Sequence, residues 1–216
     1  MDIRLIAFFT ESHRGLAERF KDSFLDQDVP LELIPFPTIG GGNGNFQSES
    51  WRNTVIGKQR IVAEWIREHP GSILVSADVD IQFFRPIRPV IESVMGSGKV
   101  DIAFQAEHAG PNSSYNAGFI AMRCNPQVLA VFEALCAFDL HSYVLPEQDW
   151  FNRHLKEFNV VTALLPQTIW AWSQGLDHLS GDVVLHHANC TFGNSTVKTK
   201  FEQLDFVRAR VLEQRV

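Results

Sequence analysis

Apolar residues fall along this chain in two alternating patterns: short unbroken runs, and longer segments in which they recur every three or four positions. "IRLIAFF" (3–9) is an apolar run of strand length. Past a turn at Thr10 to Ser12, "RGLAERFKDSFL" places Leu16, Phe20 and Phe24 four apart, on one face of a helix. "VPLELIPF" alternates like a second strand, and the Gly- and Asn-rich "TIGGGNGNFQSES" reads as a loop. "NTVIGKQRIVAEWIREH" has helical spacing and stops at Pro70 and Gly71, after which "SILVSADVD" is a continuous apolar strand of the doubly buried, parallel type. A short helix "VIESVM", a strand "VDIAFQAE" and a strand-like "NAGFIAMRC" follow. Asn125 and Pro126 are a cap and first residue for the helix "PQVLAVFEALCAF". Pro146 and its acidic neighbours open another, "PEQDWFNRHLKEF". "VVTALLP", "DVVLHHANC" and a last helix from about Lys200 complete the chain. Strands alternating with helices predict an α/β fold: one domain over residues 1–216, with a central, mostly parallel mixed sheet flanked by helices.

At 216 residues with 45% hydrophobic content the chain can bury one sizeable core. A net charge of −6 with scattered Lys and Arg supplies no basic stripe, so no nucleic-acid partner is expected. Three cysteines without CxxC spacing argue against a disulfide framework and a structural zinc site, and point to a reducing, cytoplasmic setting. Asp2 and Arg4 at the start of the first apolar run mark it as a strand and not a secretion signal, and no stretch approaches the ~18 apolar residues of a transmembrane segment.

Polar chemistry concentrates where apolar runs end. Asp78 and Asp80 close "ILVSADVD", and residues two apart on an extended segment project to one side, at the strand end where open α/β sheets hold their ligands. Two converging carboxylates repel unless a cation lies between them, so a divalent metal is the expected resident. His186 and His187 end another apolar run, and because neighbours on a strand face opposite ways only one of them can join the carboxylates. An Asp, Asp, His set suits a Mn²⁺-like ion (or Mg²⁺), with remaining positions open to phosphate oxygens. Lys58 sits three, four and seven positions before Ile61, Val62 and Trp65 on the apolar helix face, and an inward lysine implies an anion waiting there.

The ordered set "SADVD", "NAGFIAMR", "EQDWFN" and "HHANCTFGNSTVK" resembles the nucleotide-diphospho-sugar transferases of the GT-A fold, in particular the retaining galactosyltransferase and glycogenin-like families, over roughly residues 3–200. The resemblance implies a Rossmann-like GT-A domain and a metal-dependent transfer of a sugar from a nucleoside-diphosphate sugar, with a UDP-sugar favoured, to a carbohydrate or other hydroxyl acceptor, with retention of configuration. It further implies Mn²⁺ held by Asp78, Asp80 and His187. Gln148 and Asp149 would stand at the reacting carbon, supported by Asn152, with Glu147 where the families more often have Asp. Phe9, Thr10, Lys58, Ala77, Val79, Asn116 and Gly118 would contact the donor, and Gly193 and Lys198 the phosphates, with Lys200 as the alternative to Lys198. Two further readings compete. A non-catalytic sugar-nucleotide or carbohydrate binder would keep the metal site alone. A DxD phosphohydrolase would need its aspartates on the first strand, whereas here they end the third. "IGGGNGNF" lacks the GK[ST] of a phosphate loop and reads as a loop over the site, while Trp170 and Trp172 could stack on an acceptor sugar or lie in the core.

Overall fold

The structure, a computed structural model, describes residues 1–37, 49–139, 143–190 and 196–215; the Gly-rich stretch 39–46 lies outside them. The main sheet has six strands: β1 (Ile3–Phe9), β2 (Leu31–Pro35), β3 (Ile73–Asp78), β5 (Ile102–Ala106), β6 (Tyr115–Arg123) and β7 (Thr162–Leu164), in the order β2-β1-β3-β6-β5-β7. β1 pairs parallel with β2 and β3, and β5 with β7, while β6 runs antiparallel to both neighbours. Five strands therefore share one direction, and the expected mostly parallel mixed sheet is what forms.

The unbroken apolar runs are explained by burial on both faces. Ile3, Leu5 and Ala7 of β1 and Ile73 and Val75 of β3 enter one core. It is closed by α1 (Arg14–Ser23), through Leu16, Ala17 and Phe20, and by α3 (Arg88–Met95), through Ile91 and Met95. Ile6 and Leu74 face a second core against α2 (Glu49–Glu68), α4 (Pro126–Ala137) and α5 (Pro146–His154), where Val62, Ile66, Phe132, Trp150 and Phe151 meet. The spacing-four residues of the helices are those that pack, as amphipathic helices require.

A second sheet of three strands, β4 (Ile81–Phe83), β9 (Leu185–His187) and β8 (Ile169–Ala171), in the order β4-β9-β8, stands beside the first. β4 and β8, three residues each, go unread in the sequence, whereas the equally short β7 and β9 lie within the apolar runs "VVTALLP" and "DVVLHHANC". β4 starts one residue after Asp80, so the chain passes from the large sheet into the small one at the DxD segment. The last helix, α6 (Val197–Glu213), starts three residues before the predicted Lys200 because Thr196 and Thr199 form a capping box. Among the described residues no helix is long and apolar enough to cross a membrane.

Asn125 caps α4 as predicted: its Oδ1 accepts from Val128 N at 2.8 Å, with Pro126 opening the helix. Its Nδ2 also donates to Asp101 Oδ1 at 2.9 Å. Replacing Asn125 by Ala should lower stability by about 1–2 kcal/mol, seen as a lower urea midpoint with an unchanged denaturant slope.

Candidate metal and donor site

The small sheet decides which residues meet at the end of β3. In the antiparallel β4–β9 pair Ile81 stands opposite His187, and Ala188 N donates to Asp80 O at 2.9 Å. This pairing delivers His187 to the two aspartates. His187 Nε2 lies 3.5 Å from Asp80 Oδ1 and 3.9 Å from Asp78 Oδ2, and one ligand atom from each of the three residues falls within 4.8 Å of the others. His186, one position earlier, points the opposite way, as strand alternation demands. It is fully buried beside Trp170 and Trp172, and burial pushes its imidazole well below the usual range. Trp170 is core, completely buried in a third cluster with Leu179, Val183, Val207 and Val211.

Two neighbours of His187 set its orientation, and the sequence reading passed over one of them. Gln105, wholly buried on β5, donates from Nε2 to Ile169 O (3.3 Å), which turns its Oε1 toward His187 Nδ1 at 2.8 Å. An amide oxygen can only accept, so Nδ1 carries the hydrogen and Nε2 presents a lone pair to the carboxylates. Three electron-pair donors then face one another, an arrangement that a cation between them, or a proton on Nε2, must satisfy. The second neighbour is Gly118. A Cβ there would lie 2.0 Å from His187 Cε1 and 2.7 Å from Nδ1, so the space the glycine leaves is filled by the imidazole. The polar Gln105 inside the apolar run "IAFQA" was the signal available in the sequence.

Each aspartate also has its own lysine. Lys58, on the inner face of α2 as its spacing predicted, puts Nζ 3.0 Å from Asp78 Oδ1 and 3.3 Å from Glu147 Oε1. The anions waiting for it are the protein's own. Burial alone would lower the Lys58 ammonium, but the Asp78 and Glu147 charges outweigh it and hold it above the ordinary lysine range. Burial likewise opposes ionisation of Glu147 and raises it, with Lys58 pulling in the other direction. Lys200 Nζ bonds Asp80 Oδ2 and reaches Ala188 O at 3.2 Å. Asp80, disfavoured by burial, is nevertheless held far below the usual carboxylate range, chiefly by the Lys200 ammonium. Of the two lysines proposed for the phosphate side, Lys200 lines the cavity; Lys198 is exposed and pairs with Glu202 at 3.7 Å. Residues two apart on a helix point to different sides, so only one of the two can face the aspartates. Gly193 lies outside the described residues.

These groups line a cavity of about 420 Å³, within the range of small-molecule sites. Phe9, Thr10, Lys58, Val79, Asn116, Gly118 and Gln148 are on its wall, together with the aromatic Phe8, Phe36 and Trp51. Ala77 is buried inside the sheet between Ala7 and Phe119. Asp149 does not line the cavity: its Oδ2 accepts from Leu145 N at 3.0 Å and so caps α5. Asn152 holds Tyr115, accepting from its N–H (2.8 Å) and donating to its carbonyl (2.9 Å).

A second polar group on the cavity wall is organised by Glu107, which no motif marked. Its Oε2 accepts from Asn116 Nδ2 at 2.5 Å and from Gln148 Nε2 at 3.2 Å. The carbonyl ends of both amides are held by β6: Gly118 N donates to Asn116 Oδ1 (2.8 Å) and Ala117 N to Gln148 Oε1 (3.1 Å). Both amides are therefore fixed in one orientation, with Glu107 as their common acceptor.

No family model matches the chain, and no curated protein matches it by sequence. Solved structures do. A glycosyltransferase involved in the glycosylation of the major capsid of PBCV-1 superimposes with a TM-score of 0.67 over 95% of this chain and 100% of its own, at 10% identity. Mouse xyloside xylosyltransferase 1, in its apo form, gives 0.56 over 88% and 98%, at 13% identity. The chain has the fold of the GT-A nucleotide-diphospho-sugar transferases, as its motif order had implied.

The close contact at Gly118 yields an expectation about stability. Gly118→Ala should cost about 1–3 kcal/mol through overpacking against the ring, read from urea midpoints. The same change made in a His187→Ala background should cost far less, because the ring it strikes is gone; equal penalties in both backgrounds would contradict the packing described.

Proposed function

We propose that this protein is a metal-dependent glycosyltransferase that moves a sugar from a nucleoside-diphosphate sugar, a UDP-sugar being favoured, to the hydroxyl of a carbohydrate or similar acceptor. The observation that carries the reading is the convergence of Asp78, Asp80 and His187 Nε2 at the wall of a substrate-sized cavity, in a fold shared with glycosyltransferases. The donor set is two carboxylate oxygens and one imidazole nitrogen with an oriented lone pair, which fits Mn²⁺ or Mg²⁺. His187 and the aspartates would hold the ion, with Gln105 fixing the imidazole tautomer. When bound, such an ion supplies Lewis-acid stabilisation of the charge that develops on a departing diphosphate.

The chain's own residues divide the remaining work. Lys200, on the cavity wall beside Asp80, is placed to meet diphosphate oxygens. The aromatic wall residues Phe8, Phe9, Phe36 and Trp51 offer ring faces and apolar surface for a nucleobase. Asn116, Gln148 and Glu107 form a prearranged polar wall suited to sugar hydroxyls. In the reaction the bond from the anomeric carbon to the diphosphate oxygen breaks, a bond to the acceptor oxygen forms, and the acceptor's proton leaves with the diphosphate or solvent. The motif resemblance adds retention at that carbon, to be read from the anomeric coupling constant of the product.

The test is a thermal-shift screen of sugar nucleotides with and without Mn²⁺, because a ligand bound only by the folded chain raises Tm, by about 2.7 kcal/mol of added stability at a hundredfold excess over Kd. One nucleotide class should stabilise the protein, the shift should vanish with a chelator, and Asp80→Asn should abolish it. The absence of any nucleotide-dependent shift, or one indifferent to chelation, would overturn the reading. Gln105→Leu, which frees the imidazole, should weaken Mn²⁺ binding by about 10- to 100-fold, measured by electron paramagnetic resonance of free Mn²⁺.

A further inference from the structure

Four carboxylates line the cavity, those of Asp78, Asp80, Glu107 and Glu147, and among the described residues Glu107 is the one that no lysine or arginine pairs with. Its Oε2 takes both side-chain amides, and nothing among the described residues bonds Oε1. An ionised carboxylate only accepts, so the uncommitted oxygen favours a hydroxyl hydrogen and repels an anion. Asn116 Nδ2 and Gln148 Nε2 each keep a second hydrogen beyond the one given to Glu107. The wall therefore offers donors beside an acceptor, the complement of adjacent hydroxyls. It adjoins the metal cluster: Gly118, whose N–H holds Asn116, packs on the His187 ring, and Gln105, two residues before Glu107, bonds that ring. A sugar joined to a diphosphate at the cluster meets this wall.

We propose that Glu107 selects the donor sugar by charge, admitting neutral sugars whose hydroxyls donate to Oε1 and rejecting hexuronic acids. The rest of the cavity offers a sugar carboxylate no free cation. Its two lysines, Lys58 and Lys200, are both engaged: Lys58 lies 3.0 Å from Asp78 and 3.3 Å from Glu147, and Lys200 is bonded to Asp80. Segments 38–48, 140–142 and 191–195 contain no Lys or Arg that could supply another. With His13 and His187 neutral, four carboxylates against two lysines leave the lining at a formal −2. A divalent ion offsets that charge, and the diphosphate of the donor restores it. A carboxylate on the sugar then adds one more negative charge beside Glu107. The inference rests on the glycosyltransferase reading and adds to it the chemical class of the sugar, with Glu107 as a specificity-determining residue.

The experiment is calorimetric titration at saturating Mn²⁺, without acceptor, of the wild type, Glu107→Gln and Glu107→Asp. Two matched pairs of ligands are compared, UDP-glucose with UDP-glucuronate and GDP-mannose with GDP-mannuronate, each differing only in a hydroxymethyl or a carboxylate at C6. UDP and GDP, which lack the sugar, are titrated as references. In the pair that binds the wild type, the acidic member should be weaker by about tenfold or more. Two unit charges ~5 Å apart repel enough for about fourfold in bulk water and for several hundredfold at an effective dielectric of ~20. The gap should narrow with added salt. Glu107→Gln can turn its oxygen to the two amides and its N–H₂ to the cavity, so the gap should close to within about threefold through tighter binding of the acidic sugar. Glu107→Asp keeps the charge and should keep the gap. Equal affinities within the pair in the wild type would overturn the proposal and leave the glycosyltransferase reading standing. So would a gap that survives in Glu107→Gln, or a Glu107→Gln protein that no longer binds the free nucleotide, which would mark Glu107 as structural. If the wild type binds neither the nucleotides nor the sugar nucleotides with Mn²⁺, the glycosyltransferase reading falls together with this inference.

Discussion

The site exists because β4 pairs with β9. A few backbone hydrogen bonds, Ala188 N to Asp80 O among them, bind the stretch after the large sheet's third strand to a strand from late in the chain. Strand pairing sets position to within a fraction of a residue, and alternation then decides which of two adjacent histidines faces inward. A slip of one residue would turn His187 to the opposite face and put His186 or Ala188 toward the aspartates in its place. The buried amide of Gln105 and the missing Cβ of Gly118 reinforce the same choice, one by fixing the ring's hydrogen and the other by making room for the ring.

Electrostatics supplies the second constraint. Asp80, Glu147 and Lys58 are all largely buried, and an unpaired buried charge costs several kcal/mol. The chain resolves this with lysines from two helices, α2 and α6, that approach the carboxylates from different sides. These ion pairs are weak evidence of stability, since exchanging water for a partner roughly breaks even. Their consequence is geometric: they hold the outer carboxylate oxygens and leave the inner ones directed at one point.

On the amide-bearing wall of the cavity the requirement is orientation. A side-chain amide can present either end, and a wall of free amides would recognise nothing in particular. Here β6 N–H groups take the carbonyl ends and Glu107 takes both amino ends, so Asn116 and Gln148 are fixed before any ligand arrives. Preorganisation of this kind reduces the ordering cost of binding.

The sequence by itself determined whatever depends on local pattern. Unbroken apolar runs and spacing-four helices specified the α/β layering, Asn125 and Pro126 the start of α4, the i, i+2 aspartates a shared side, and the apolar neighbours of Lys58 its inward direction. Only the tertiary structure decided what arises between distant segments. β4 and β8 go unread in the sequence, and their existence depends on β9 lying between them. The choice of Lys200 over Lys198 as the lysine on the cavity wall follows from the start and rotation of α6, and Asp149 became a helix cap because Leu145 N lies within its reach. Gln105 and Glu107 owe their roles to partners from other parts of the chain. Their contacts are set by packing, which a local pattern of hydrophobicity does not encode.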